Sequence, residues 1–305
     1  MTEPAYVAVD WGTSSFRLWL IGKDGGVLAE RRSGEGMTTA ARTGFAEVLN
    51  SHLSAIAAPE NLPVLICGMA GAKQGWVEAG YLDTPAALLD IPAAAVRIPG
   101  VEADIRILPG LAQRDPAAPD VVRGEETQLL GAAGELGKGD HLVCMPGTHS
   151  KWVRLSGGWV EGFSTFMTGE LFDAIAKNTI LSHSIAEAGP VSGSSEAFRT
   201  AVSRMVKSPA LATSQLFSVR AGALIAGLTP DDAKARLSGT LIGLEIAGAL
   251  SLVAEGTPVA LVVSGGLGTL YGEALAAAGL APVVIDADTA VRNGLAAGAK
   301  ALWSL

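Results

Sequence analysis

In the first third of the chain, short apolar runs rich in β-forming residues alternate with polar glycine turns. Apolar residues at helical spacing from Phe45 to Ile56 predict one helix in this region. Runs of β-branched and aromatic residues predict five strands, at residues 6–10, 16–21, 27–32, 64–67 and 105–108. The predicted order is three strands, a helix and two further strands.

The same pattern returns after a stretch rich in Pro, Ala and Asp at residues 115–120, which is typical of a connection between domains. A helix is predicted at 125–136, followed by a long helical region at about 168–255. Strands are predicted at 141–145, 151–155, 159–163, 259–264 and 282–285, and the last two helices at about 269–278 and 289–304. A β-β-β-α-β-α-β unit is therefore expected twice.

The composition fits such a chain. With 305 residues, the chain can form two domains, each with its own core. Hydrophobic residues make up 49% and charged residues 17%, which favours sheets covered by Ala-rich helices. A net charge of −8 argues against a nucleic-acid partner, and the apolar stretches are too short or too interrupted to predict a membrane span. No secretory signal is visible and only Cys67 and Cys144 are present, so we expect a cytoplasmic protein without disulfides.

A short turn with phosphate-binding chemistry occurs twice. Residues 9–18 run from an apolar strand through a glycine-hydroxyl turn into a second strand, and residues 144–153 do the same. Such a turn offers backbone N–H groups and hydroxyls to an anion, with no bulky side chain in the way. Two such turns that face each other would bind a polyphosphate from both sides. The repeat therefore predicts a nucleotide clamp.

The first turn, DWGTSSFR at residues 10–17, resembles the first phosphate motif of the actin, hexokinase and Hsp70 superfamily. The resemblance implies that Asp10 binds Mg²⁺ through water and that the turn approaches the β- and γ-phosphates of ATP. The second turn, MPGTHSK at residues 145–151, resembles the second phosphate motif. The structural alternatives are an ordinary hairpin for the first turn, a loop position without chemistry for His149 and a solvent-facing strand position for Lys151. The implied phosphate-binding residues are Gly12, Thr13, Ser14, Ser15, Arg17, Gly147, Thr148, His149 and Lys151.

The segment SGGLG at residues 264–268 follows an apolar strand and precedes a helix. It resembles the adenosine motif of the same superfamily, which implies that Gly265, Gly266 and Leu267 contact the nucleotide. Asp286 stands 20 residues after Gly266 and leaves open an NAD-binding alternative, although a Rossmann sheet that began here would have no room to finish. A plain glycine turn is the other alternative.

The segment RGEETQLLG at residues 123–131 lies just before the second phosphate strand. Sugar kinases of the superfamily open a helix here with an Asn-Asp pair, whose Asp removes the proton from the attacking hydroxyl. The resemblance implies that Glu126, or its neighbour Glu125, is the catalytic base. Acidic residues that stabilise a helix N-terminus are the structural alternative. Glu170 and Asp173 are the next candidates for the base.

Taken together, several segments resemble the 2-dehydro-3-deoxygalactonokinase family. They are VDWGTS (9–14), GMAG (68–71), GW (75–76), Tyr81, RGEETQ (123–128), MPGTHSKW (145–152) and MTGEL (167–171), and they span nearly the whole chain. RGEETQ and PGTHSKW are the most specific. The resemblance implies ATP- and Mg²⁺-dependent phosphorylation of the 6-hydroxyl of 2-dehydro-3-deoxy-D-galactonate in galactonate breakdown. The products would be 2-dehydro-3-deoxy-6-phospho-D-galactonate and ADP.

The implied fold is α/β, with two actin-like (RNase H-like) domains around an interdomain nucleotide cleft. Each domain would be a mixed sheet with flanking helices. We expect domains at residues 1–115 and 116–288, with a final helix at 289–305 that could pack back on the first domain. Gly71, Lys73, Trp76 and Glu170 are the candidate substrate-binding residues. Lys73 is the candidate partner of the substrate carboxylate, and Arg106 and Arg17 are the competing candidates. The structural alternative for all three is a basic side chain exposed on the surface or on a strand, without a functional role.

Three other functions remain open on the sequence. The first is another carbohydrate kinase of the same superfamily, which would share both phosphate turns. A non-catalytic actin-like nucleotide-binding or assembly protein would share both turns but would not need the Glu125 and Glu126 pair. An NAD-dependent oxidoreductase would need residues 266–286 to bind pyrophosphate and ribose. The expected partners are the sugar acid and ATP, without nucleic acid or membrane, and a homodimer is an option.

Overall fold

The computed structural model describes residues 2–304; Met1 and Leu305, the end residues of the predicted domain ranges, lie outside the described residues. Contacts divide the chain into two compact units. Unit 1 runs up to Lys138 and adds Ser156–Gly162 and the segment from Ala287 onward, whereas unit 2 consists of Gly139–Leu155 and Phe163–Asp286. The predicted second domain at residues 116–288 therefore differs from unit 2 by residues 116–138, 156–162 and 287–288, which cluster with unit 1. The division into functional domains stays a prediction.

Unit 1 contains a six-stranded mixed sheet in the order β3-β2-β1-β4-β8-β7 and a three-stranded sheet in the order β10-β9-β5. The strands are β1 Pro4–Trp11, β2 Phe16–Gly22, β3 Val27–Ser33, β4 Val64–Gly68, β5 Tyr81–Asp83, β6 Ala86–Ala87, β7 Val96–Arg97, β8 Ile105–Ile107, β9 Gly110–Gln113 and β10 Asp120–Val122. Its helices are α1 Met37–Thr43, α2 Phe45–Ala55, α3 Glu125–Leu136 and, at the end of the chain, α10 Ala287–Trp303.

The central strand β1 is buried on both faces, which explains its continuous apolar run. It pairs antiparallel with β2 and parallel with β4, so that Asp10 lies opposite both Arg17 and Cys67. Helix α3 packs against α10 at very short range: a Cβ on Gly131 would lie 1.8 Å from the Ala290 carbonyl oxygen. This close packing explains why α3 belongs to unit 1.

One part of unit 1 departs from the expected β-β-β-α-β-α-β order. The predicted unit has a helix between β4 and β8. In its place the chain forms three short 3-10 turns and the short strands β5, β6 and β7. Pro85, Pro92 and Pro99 lie in this segment together with several glycines. Proline removes a backbone donor and blocks helix propagation, so a regular helix cannot run through it.

Unit 2 carries a mixed sheet in the order β15-β14-β11-β12-β13. Its strands are β11 Asp140–Met145, β12 Ser150–Ser156, β13 Trp159–Phe166, β14 Val259–Val263 and β15 Val283–Asp286, and the first residues of β13 cluster with unit 1. Its helices are α4 Thr168–Asn178, α5 Ser182–Ile185, α6 Glu196–Lys207, α7 Ala212–Ile225, α8 Pro230–Leu250 and α9 Gly266–Ala277. The long helical region expected at about 168–255 is thus five helices, with breaks near Pro190, Pro209 and Gly227. The α/β class with mixed sheets is confirmed, and no helix of the described chain is long and apolar enough to cross a membrane.

Candidate functional site

The first glycine turn joins β1 to β2 in unit 1. The Gly12 N–H donates to the Ser15 carbonyl oxygen at 2.9 Å and closes the turn. The segment before α1 supports it from outside, because the Met37 N–H donates to the Gly12 carbonyl oxygen at 2.9 Å. Thr13, Ser14 and Ser15 are exposed, so the turn presents its hydroxyls to solvent. This arrangement can bind an anion.

Asp10 lies at the end of β1 within a charged network. Its Oδ2 accepts a hydrogen bond from Arg17 Nη2 at 2.5 Å, while Arg17 Nη1 donates to Asp288 at the start of α10. Burial raises the pKa of Asp10, and the Arg17 guanidinium only partly offsets this effect. Burial would also raise the pKa of Asp288, but Arg32 and Arg17 bring it below its usual range. Arg17, a predicted phosphate ligand, is therefore engaged by two carboxylates.

Helix α3 places two acidic residues near this network. It begins after Gly124, whose φ of 104° would strain any residue with a side chain. Glu125 Oε2 accepts the Arg123 N–H at 3.0 Å, and Glu126 Oε2 accepts the Gly124 N–H at 2.6 Å. Glu126 is fully buried, and burial together with the charge of Glu125 raises its pKa to about 7. Glu125 is half-buried, and its charge also raises the pKa of Asp10.

The glycines at the end of β4 and the start of α3 bring these parts together. A Cβ on Gly124 would lie 3.5 Å from the Gly68 Cα, and a Cβ on Gly68 would lie 3.5 Å from Asp10 Oδ1. The first turn, the end of β4 and the acidic start of α3 therefore form one local cluster in unit 1. This cluster brings the Asp10 carboxylate close to the acidic start of α3.

The candidate substrate residues of unit 1 differ in their surroundings. Gly71 is buried, whereas Lys73 is exposed. Trp76 is half-buried and packs edge-on against Trp11, with ring centroids 6.2 Å apart. Arg106, the alternative partner of the substrate carboxylate, donates two hydrogen bonds to Asp104 at 2.8 and 2.9 Å. Their roles stay predictions.

The second glycine turn joins β11 to β12 in unit 2. Thr148 and His149 are exposed at its tip, and His149 Nε2 lies 2.5 Å from Glu170 Oε2. Helix α4 begins against the turn, since the Glu170 N–H donates to the Thr148 carbonyl oxygen at 3.2 Å. A Cβ on Gly169 would lie 2.9 Å from the Gly147 carbonyl oxygen, so only glycine permits this approach. Lys151 is half-buried on β12.

A buried polar network lies behind the second turn. The hydroxyls of Ser150 and Tyr271 are 2.9 Å apart, and the Tyr271 hydroxyl donates to Glu245 Oε2 at 2.9 Å. Trp152 Nε1 donates to Glu245 Oε1 at 2.8 Å. Burial raises the pKa of Glu245, although these hydrogen bonds counteract it. The network connects the second turn to helices α8 and α9.

A cavity of about 210 Å³ opens between the second turn and α9. Gly147 borders it from the turn, and Leu267 borders it from the SGGLG segment, in which Gly265 and Gly266 are exposed. Most of its remaining lining is apolar: Phe172, Val191, Leu241, Ile242 and Leu270. An apolar cavity beside a glycine turn suits a flat aromatic ring attached to a phosphate chain.

The donor set around Asp10 suits Mg²⁺ better than a tightly caged metal. Among residues 2–304, no group of three or more His, Cys, Asp or Glu side chains is arranged to hold a metal ion. Mg²⁺ keeps several of its waters and is usually bound through one or two carboxylates together with substrate phosphates. A single, partly accessible carboxylate beside a phosphate-type turn is compatible with that mode.

The sequence did not predict the positions of three charged side chains near the candidate site. Glu245 registered only as a charge that interrupts an apolar stretch, and a buried acidic residue in the long apolar helix α8 was the available signal. Asp288, which engages Arg17, lies far from it in sequence and carried no signal. Arg123 was noted only as part of RGEETQ.

Comparisons with known proteins agree on one family. The model of the 2-keto-3-deoxy-galactonokinase family matches residues 10–297. A probable 2-dehydro-3-deoxygalactonokinase of Rhizobium meliloti (strain 1021) is 67% identical over 304 residues, which cover 100% of this chain and 99% of the relative. The 2-dehydro-3-deoxygalactonokinase of Escherichia coli (strain K12) is 35% identical over 299 residues, 97% of this chain and 98% of the relative.

One solved structure supports the same family, and a second shares only the fold. A Sinorhizobium meliloti protein assigned to the same activity superposes with a TM-score of 0.96 at 66% identity, over 98% of this chain and 100% of that one. Component A of the (R)-2-hydroxyglutaryl-CoA dehydratase of Acidaminococcus fermentans has a TM-score of 0.50 at 14% identity, over 97% and 98% of the two chains, and shares the fold alone. The predicted actin-like fold and the predicted family are confirmed. The chain belongs to the 2-keto-3-deoxy-galactonokinase family and is a kinase.

Proposed function

We propose that this kinase transfers the γ-phosphoryl group of ATP to the 6-hydroxyl of 2-dehydro-3-deoxy-D-galactonate, and that it does so in the cytoplasm. The observation that carries the proposal is the acidic start of α3 beside the Asp10 turn, in a chain 67% identical to a probable 2-dehydro-3-deoxygalactonokinase. A hydroxyl nucleophile needs a base close to the phosphate site, and a nucleotide-binding protein without catalysis does not.

Burial favours Glu125 over Glu126 as that base. Glu126 exposes no surface, and its carboxylate already accepts hydrogen bonds from the Gly124 N–H and the Thr127 hydroxyl. Glu125 also accepts a hydrogen bond, from the Arg123 N–H, but it keeps exposed surface, and its charge acts on Asp10. In the proposed step the substrate oxygen forms a bond to the γ-phosphorus and the bond to the β–γ bridging oxygen breaks. The hydroxyl proton moves to Glu125 and ADP leaves.

Asp10 would hold the Mg²⁺ of the nucleotide, which when bound neutralises phosphate charge. The Arg17 guanidinium, fixed by Asp288, orients the Asp10 carboxylate. The exposed hydroxyls of residues 13–15 in unit 1 would contact the phosphates. The cavity bordered by Gly147 and Leu267 fits the adenine ring, which supports ATP over other phosphate donors without a base.

Product analysis tests this proposal. The protein is incubated with ATP, MgCl₂ and 2-dehydro-3-deoxy-D-galactonate, and the sugar acid is analysed by mass spectrometry and by phosphorus NMR. We expect one added phosphoryl group on the primary hydroxyl and one ADP per product. The matched control is E125Q, which should form product far more slowly. Absence of a phosphorylated acid would refute the proposal.

A further inference from the structure

The half-buried Arg123 of unit 1 has buried guanidinium nitrogens with unused hydrogen-bond donors. The Nε and Nη1 atoms of Arg123 are buried and have no partner among the described residues, whereas Nη2 donates to the Gly80 carbonyl oxygen at 2.7 Å. A buried donor without a partner is costly, more so when it is charged. A ligand that supplies the missing acceptor would explain such a group, so Arg123 is a candidate for ligand binding.

The surroundings hold this guanidinium in place. Its Cζ lies 4.4 Å from the centre of the Tyr81 ring, in a cation–π arrangement. A Cβ on Gly71 would lie 2.9 Å from Arg123 Nη1, so the absence of a side chain at position 71 makes room for it. Gly71, Gly80 and Tyr81 therefore form a platform that fixes the position of the Arg123 guanidinium.

This platform adjoins the proposed base. Arg123 precedes Gly124 at the start of α3, and its own N–H donates to Glu125 Oε2 at 3.0 Å. Gly124 in turn packs on Gly68, which approaches Asp10. A molecule whose hydroxyl reaches Glu125 would therefore have the Arg123 guanidinium within the same local cluster of unit 1.

The other cations considered for the substrate carboxylate are less suitable. Arg17 is engaged by Asp10 and Asp288, and Arg106 is engaged by Asp104. Lys73 is exposed, where water screens its charge. A carboxylate that enters a cluster with several acidic side chains needs a desolvated cation, because attraction to a hydrated surface lysine is weak.

We propose that Arg123 binds the carboxylate of a 2-oxo sugar acid and thereby selects acids over neutral sugars. This inference rests on the proposed function and assigns the recognition of the acid group within it. Arg123 is a substrate-binding residue in this scheme, and Lys73 is not required.

The test compares two substrates in two enzymes. The acid is 2-dehydro-3-deoxy-D-galactonate, and the neutral analogue is the 3-deoxyketohexose in which CH₂OH replaces the carboxylate. The wild-type enzyme should prefer the acid by about 10²-fold in kcat/KM, since loss of a desolvated charge pair has an effect of that order. R123M should lose most of this preference, because its kcat/KM should fall for the acid and stay unchanged for the neutral analogue. R123K, which keeps the charge but not the planar fork, should recover part of it.

Controls separate recognition from folding. K73M should keep the wild-type preference, and R123M should keep wild-type calorimetric affinity for Mg–ATP. An R123M enzyme that retains the preference for the acid, or that loses both substrates equally, would overturn the inference. If R123M does not fold, R123K decides in its place: its kcat/KM should fall at least about tenfold for the acid and stay unchanged for the ketose, and equal losses would overturn the inference. A wild-type enzyme that phosphorylates neither substrate would instead refute the proposed function.

Discussion

The two glycine turns are similar in sequence but are supported by different chemistry. In unit 1 the turn lies beside an ionic network in which Arg17 bridges Asp10 and Asp288. In unit 2 the turn is backed by a buried network in which Tyr271 and Trp152 donate to Glu245. The ionic network lies next to two further carboxylates at the start of α3, whereas the buried network lies behind an apolar cavity.

The difference favours a division of labour, in which the unit 1 turn serves the chemical step and the unit 2 turn holds the nucleotide. Charged, partly accessible groups can bind a metal and accept a proton, so the unit 1 turn is suited to chemistry. A fully hydrogen-bonded buried network is rigid, so the unit 2 turn is suited to fixing a nucleotide. We therefore expect the same short motif to serve two roles, each set by the residues behind the turn.

The largest expected effect is the loss of the base. E125Q should lower kcat by about 10²–10⁴-fold, because the substrate hydroxyl then lacks a proton acceptor. Its affinity for Mg–ATP should be nearly unchanged. The matched variant E126Q should lose far less activity, since Glu126 is fully buried. Steady-state kinetics decide: the opposite ranking would make Glu126 the base, and near-normal rates in both variants and in the double variant would direct the search to Glu170 and Asp173.

The metal carboxylate should come next. D10N should reduce Mg²⁺-dependent turnover by about 10²-fold or more, because the amide is a poorer metal ligand. Its thermal unfolding temperature should stay close to that of the wild type. A loss of stability typical of a core mutation, with kcat preserved, would assign Asp10 a purely structural role.

The buried carboxylate of unit 1 should make stability depend on pH. The folded pKa of Glu126 is about 7, above the ordinary value of 4.5, so the folded state favours its protonated form. Its contribution to stability is fully present below pH 4.5 and is lost as the pH rises through 7. The loss is at most about 3 kcal/mol. Denaturant unfolding of the wild type and E126Q between pH 5 and 8.5 measures it; parallel curves for the two proteins would contradict the expectation.

A smaller effect is expected for the buried network of unit 2. Y271F removes the hydroxyl that donates to Glu245, which should cost about 1–3 kcal/mol of unfolding free energy. The KM for ATP should rise because the second turn loses support through Ser150. The kcat should change little. A variant with lower kcat and unchanged KM for ATP would contradict the division of labour.

Local patterns predicted most of the elements but not the groups that lie behind the turns. Helix α3 spans residues 125–136 as expected, because its apolar spacing and acidic start are local signals. The network around Arg17 depends on Asp288, which the fold alone brings close to it. Glu245 likewise lies far in sequence from Trp152, and no local rule pairs them. Recognition of the two turns came from glycine and hydroxyl spacing, whereas their different roles depend on tertiary contacts.

Calorimetric measurement of Mg–ATP affinity tests the division of labour most directly. A Cβ on Gly266 or on Gly272 meets no atom within 4 Å, so G266A and G272A on the same helix should both fold normally. G266A should bind Mg–ATP about tenfold more weakly or worse, since its methyl group would occupy the nucleotide site. E125Q and G272A should bind it like the wild type. Unchanged affinity in G266A together with a large loss in E125Q would contradict the account.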